Sequence, residues 1–78
     1  MFVRRLGPAV DANRCAGGYS CPEVWELEDG DFAVIGADIT AEAAQRLPQG
    51  SGCGPGERIV RVPRQVLVEA RANIPSAP

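Results

Sequence analysis

Histidine and lysine are both absent from this 78-residue chain, and its eight basic residues are all arginine. Without histidine the chain holds no Ser-His or Cys-His pair for nucleophilic catalysis and no histidine-bearing metal site. The net charge is −2 at pH 7, so the general attraction to phosphate on which nucleic-acid binders rely is lacking. No apolar run approaches the ~18 residues of a membrane span. Arg4 and Arg5 resemble the start of a secretory signal, but Leu6-Gly7-Pro8-Ala9-Val10-Asp11 does not continue it as an apolar stretch. These absences lead us to expect a cytoplasmic, non-enzymatic protein with no cofactor, no membrane contact and no direct contact with nucleic acid. Aromatics are few as well: Trp25, Tyr19, Phe2 and Phe32.

What is present is a globular composition, 45% hydrophobic and 23% charged, suited to one small folded domain. A chain of this length buries only roughly 60% of its unfolded surface. Apolar surface left over would favour a partner protein or a second copy of the chain.

Three cysteines, Cys15, Cys21 and Cys53, are an odd number in a chain without an export signal, which does not read as a disulfide framework. As zinc ligands they are poorly spaced, with Cys15 and Cys21 six apart and Cys53 alone. Three thiolates with Asp11 or Asp29 would be needed, and a metal or redox module of this kind stands as an alternative to plain free thiols. Cys53, flanked by glycines, has no neighbouring base to activate it. The loop Gly50-Ser51-Gly52-Cys53-Gly54-Pro55-Gly56 lacks the Lys-Ser/Thr of a phosphate-binding loop and leads into a strand rather than a helix.

Along the chain, Met1–Leu6 alternates as a first strand that Gly7-Pro8 ends, and residues 9–21 read as a long surface loop. Val24-Trp25-Glu26-Leu27-Glu28, Asp29-Gly30 and Asp31-Phe32-Ala33-Val34-Ile35-Gly36 form a hairpin pattern over 24–36. Asp-Gly suggests a two-residue type I′ turn. That register sets Leu27 opposite Phe32 and Trp25 opposite Val34, giving one apolar face and one face bearing Glu26, Glu28 and Asp31. Thr40 is placed to cap a helix over 41–47 whose Ala44 and Leu47 would dock on the sheet. Residues 48–57 form a glycine-rich connector. Arg58–Val62 alternates as a strand, and Pro63 opens a helix over 63–72 with Val66, Leu67 and Ala70 at helical spacing. The fold class is therefore α+β: a small antiparallel sheet of three or four strands packed by two short helices, spanning 1–74 with a tail at 75–78.

Charge is unevenly placed. Residues 23–31 hold five acids and no base, whereas 57–71 hold Arg58, Arg61, Arg64 and Arg71 against Glu57 and Glu69. A docking surface would draw on Glu26, Glu28 and Asp31 for a basic partner, or Arg61 and Arg64 for an acidic one.

Cys21-Pro22-Glu23-Val24-Trp25-Glu26, then Asp29–Gly36, then Glu57-Arg58-Ile59-Val60-Arg61-Val62-Pro63, resemble a group of small uncharacterised actinobacterial proteins. These share a Cys-Pro-x-Val/Ile-aromatic opening, an aromatic-x-Val-x-Gly strand and a Glu-x-x-Val-x-Val/Ile-Pro segment before a final helix. The opening Met1–Gly7 is similar too, while residues 8–20 and 48–57 are longer and richer in glycine. Such proteins are often encoded beside helix-turn-helix regulators. The resemblance implies a protein-binding accessory of a transcriptional regulatory system, with a helix-turn-helix regulator as partner. It carries no catalytic residue with it. A self-associating structural protein, in which the hairpin edge or the Phe2 strand pairs with a second copy, stands as an alternative.

Overall fold

The computed structural model describes residues 1–7 and 22–77. The loop expected over 9–21, with Cys15 and Cys21, lies outside the described residues. The rest is α+β: a three-stranded antiparallel sheet, a second two-stranded sheet and two short helices. Strands β1 (Phe2–Gly7), β2 (Glu23–Leu27) and β3 (Phe32–Ile35) lie side by side in that order, with β2 in the centre.

The hairpin forms where expected, but its register is displaced by one residue. Trp25 pairs with Ala33, Glu26 with Phe32 and Val24 with Val34. A type I′ turn would need positive φ at both Asp29 and Gly30, and among the described residues only glycines have it. Gly30, at φ 93°, takes the left-handed position alone. Its N–H donates to Leu27 O at 3.0 Å, and Leu27 N–H donates to Asp31 O at 2.9 Å. The result is a three-residue loop, Glu28-Asp29-Gly30, closed as a turn with a glycine bulge. Asp29 keeps an ordinary backbone conformation, and its Oδ1 accepts Asp31 N–H at 3.0 Å. That bond stabilises the longer loop.

The displacement changes which residues share a face. Val24, Glu26, Phe32 and Val34 now lie together, and Glu23, Trp25, Leu27, Ala33 and Ile35 lie on the other side. The first face is the covered one, because Val24 joins Leu6, Val66 and Ala70 in the core, with Val62 packed against them. The cover is α2 (Arg64–Asn73), which packs on β1 and β2. It begins one residue later than expected: Pro63 sits before it with ψ 147°, its carbonyl accepting Val66 N–H at 3.0 Å.

The approach of α2 to β1 is close. A Cβ at Gly7 would stand 2.9 Å from Ala70 N and 3.1 Å from Glu69 Cβ. The β1–β2 register shifts between Arg5 and Gly7, which takes Leu6 out of regular pairing. Asn73 Nδ2 donates to Leu6 O at 2.8 Å, tying the end of the helix to that irregularity.

The remaining elements depart further from expectation. The segment around Arg58–Val62 does not join the main sheet. Only Val60–Arg61 (β5) is strand, paired with Ala37–Asp38 (β4) in a sheet of their own. The first helix, α1 (Thr40–Ala43), is one turn that passes into a 3₁₀ turn over Ala44–Arg46. It buries no residue, and Ala44 is exposed, so it does not cover the sheet as two-helix packing would require. Thr40 is its first residue, not its cap. The Thr40 hydroxyl accepts Ile59 N–H at 2.7 Å, and Ile39 N–H donates to Ile59 O at 2.9 Å, extending the β4–β5 pairing into the helix start.

Gly7→Ala should lower the free energy of unfolding by about 1–3 kcal/mol, because the added methyl meets helix backbone that must shift. Leu6→Ala should cost about 2–5 kcal/mol through lost burial and a residual cavity. Urea denaturation measures both; a Gly7→Ala midpoint equal to that of the wild type would mean that α2 backs away from β1 at no cost.

Candidate interaction surface

The acids of β2 are spent on the sheet itself. Glu26, expected on an exposed acidic face, is only 6% exposed and lies on the helix-covered face. The β1–β2 register places Arg4 opposite it, with Nε 2.8 Å from Oε1. The N–H is not aimed at that oxygen, so the contact is an ion pair rather than an aligned hydrogen bond. On the opposite face Trp25 Nε1 donates to Glu23 Oε1 at 2.7 Å, and Glu23 Oε2 lies 3.2 Å from Arg5 Nε. The Arg5 guanidinium sits 5.0 Å from the Trp25 ring centroid. Phe2 meets that ring edge-on at 5.6 Å. Trp25 is therefore half-buried within a polar and aromatic cluster, not at the centre of an apolar face.

Glu28 is exposed and 3.2 Å from the amino terminus, and Asp31 is exposed beyond the turn. Glu26, Glu28 and Asp31 thus do not form one acidic face. Two causes separate them: α2 covers the face of β2 that carries Val24 and Glu26, and the one-residue displacement moves Asp31 and the β3 side chains to the opposite side relative to β2.

The arginines sort differently. Arg4 and Arg5 pair with β2, and Arg58 Nε stands 4.0 Å from Asp38. Arg61, Arg64 and Arg71 are exposed and make no ion pair among the described residues. Arg64 and Arg71 bracket the outer side of α2, where Leu67 is 53% and Val68 42% exposed. With Val62 they line an open groove of about 480 Å³. Helical spacing had placed Leu67 in the core with Val66 and Ala70. In the structure only those two turn inward, because Gly7 brings the helix onto β1 along the Val66–Ala70 line. Arg61 lines a separate, smaller concavity of about 320 Å³ with Arg46 and Leu47 beside α1.

Other chemistry gathers nowhere. Among the described residues no group of three or more Cys, Asp and Glu side chains is placed to hold a metal ion. Cys53 is half-buried, its thiol 3.4 Å from Glu57 O. In the glycine loop Glu57 Oε1 already accepts Gly54 N–H at 2.7 Å, so a carboxylate occupies the donor that a phosphate would need. No helix among the described residues is long and apolar enough to cross a membrane. No protein family, curated protein or solved structure matches the chain.

One carboxylate is electrostatically marked. The Thr40 hydroxyl, the Thr40 N–H donating to Oδ1 at 2.9 Å, and Arg58 hold Asp38 below the ordinary value of 3.8. A depressed folded pKa means that Asp38 stabilises the fold fully above the unfolded value and loses that contribution as pH falls through the folded one. Carboxyl NMR should therefore give Asp38 a midpoint below 3.8 in the wild type, rising in Thr40→Ala. An unshifted Asp38 in the wild type would contradict the hydrogen-bonded geometry of the β4–α1 junction.

Proposed function

We propose that this chain is a small non-enzymatic protein-binding module. The observation that carries the reading is the imbalance of its apolar surface. Among the described residues the buried hydrophobic side chains are Leu6, Val24, Val66 and Ala70, while ten large hydrophobic ones are at least 37% exposed. Single exposed hydrophobics are ordinary, but continuous apolar stretches on a helix and on an edge strand mark interaction surfaces. A cytoplasmic accessory role in a transcriptional regulatory system, with a helix-turn-helix protein as the partner, is supported by the resemblance of the hairpin and of the Glu57–Pro63 segment to the small actinobacterial proteins.

The experiment is affinity capture from native lysate with the tagged chain, followed by calorimetry with the captured protein made pure. Leu67→Asp with Val68→Asp serves as the control variant. Both positions are exposed, so stability should stay within about 0.5 kcal/mol of the wild type, while partner binding is lost. Absence of any specifically retained protein, or equal retention by the variant and the wild type at unchanged stability, would count against the reading in turn: the first against protein binding, the second against this face.

A second reading, self-association, is favoured by β3. It is an outer strand of the main sheet carrying Phe32, Val34 and Ile35, each more than 40% exposed, with no charge, proline or bulge to protect it. Sedimentation over a concentration series decides it. A dimer that Val34→Lys dissociates supports pairing through this edge, and a constant monomer mass ends it.

A further inference from the structure

The outer face of α2 has a pattern of its own. Arg64, Leu67, Val68 and Arg71 fall at positions i, i+3, i+4 and i+7, so they form one stripe about 10.5 Å long at ~1.5 Å per residue. The inner stripe, Val66, Ala70 and Asn73, is already engaged with Leu6, Val24 and the Leu6 carbonyl. A helix that met only the sheet would have polar residues at 67 and 68. Here two aliphatic side chains stand at the middle of the outer stripe with a cation at each end, and Val62 extends the apolar floor.

We infer that this groove receives an acidic amphipathic helix of a partner protein: two apolar side chains seated on Leu67, Val68 and Val62, with carboxylates seven residues apart meeting Arg64 and Arg71. The inference rests on the protein-binding reading and names the chemistry of the partner. Charge complementarity selects the occupant. A second copy laid antiparallel sets Arg64 against Arg71, and laid parallel it sets each arginine against its own equivalent. Both arrangements place like charges at the two ends of the contact and disfavour self-pairing here. A nucleic acid would use the arginines but leave the aliphatic floor without a function, and the chain as a whole carries −2. Guanidinium groups suit carboxylates in particular, since their planar donors can engage both oxygens at once.

The test uses the full chain and a fluorescent alanine-based helical peptide with two glutamates seven apart and two leucines between them. A twin peptide has lysines in place of the glutamates. Anisotropy should show the acidic peptide bound and the lysine twin not. Arg64→Glu with Arg71→Glu should weaken the acidic peptide by about tenfold or more and create binding of the lysine twin. Raising the salt concentration should weaken both matched pairs. Equal affinity for the two peptides, or no binding of either, overturns the proposal, as does a charge swap without effect. Vesicles of phosphatidylcholine and phosphatidylserine, and duplex DNA, are run alongside; tighter binding of either than of the acidic peptide overturns it too. The two readings fail separately. A partner captured from lysate whose retention is indifferent to Arg64→Glu with Arg71→Glu leaves protein binding standing and removes this groove. If nothing is captured and no peptide binds, both fall.

Discussion

The turn at Glu28-Asp29-Gly30 is the constraint on which the rest of this structure depends. One glycine with positive φ, backed by the Asp29 carboxylate, makes the loop three residues long and displaces β3 by one position against β2. Strand side chains alternate, so this single displacement decides which residues of β3 share a face with which residues of β2. It sets Phe32 and Val34 on the side of Val24 and Glu26, where α2 packs, and Ala33 and Ile35 on the side where Trp25, Arg5, Glu23 and Phe2 collect. A two-residue turn would have asked for positive φ at Asp29 as well; Asp tolerates this less readily than Gly, and in the three-residue loop Gly30 takes it alone.

Around this register the core is small, and its order comes from contacts that do not depend on area alone. Gly7 lets α2 lie against the β1 backbone, and Asn73 satisfies the carbonyl that the β1 irregularity leaves out of the ladder. Arg4 and Arg5 alternate along β1 and so reach opposite faces, each meeting a nearly buried glutamate of β2. Charges removed from water need such partners, because an unpaired buried carboxylate would cost more than the sheet gains. Two of the five hairpin acids, Glu23 and Glu26, are thereby internal to the fold, while Glu28, Asp29 and Asp31 at the turn stay exposed.

That allocation has a functional consequence. With β2 glutamates held by β1 arginines, the cations left for a partner among the described residues include Arg61 of β5 and Arg64 and Arg71 of α2, and those of α2 border aliphatic side chains. The chain is acidic overall, yet the apolar groove on the outer side of α2 is rimmed by arginine. Net charge alone would suggest a basic partner; the local arrangement suits an acidic one. The β3 edge differs in kind, since it offers unprotected strand with no charge to select what pairs with it.

Read alone, the amino-acid order establishes the α+β class, the first strand, the hairpin and the final helix to within a residue or so. These rest on local rules: alternation along strands, glycine in the turn, proline before a helix. It does not establish the hairpin register, since Asp-Gly serves two turn types and only the stability of the whole loop selects between them. Nor does it separate Val66 and Ala70 from Leu67, all of which fit helical spacing. The approach of Gly7 to Ala70 decided which of them turn inward. The separate β4–β5 sheet was equally out of reach of local pattern, because two-residue strands carry almost no periodicity and Thr40 gains its partner, Ile59, from across the chain. Sequence determined the elements and their polarity; tertiary packing decided their faces, because burial is a property of pairs of elements and no single element carries it.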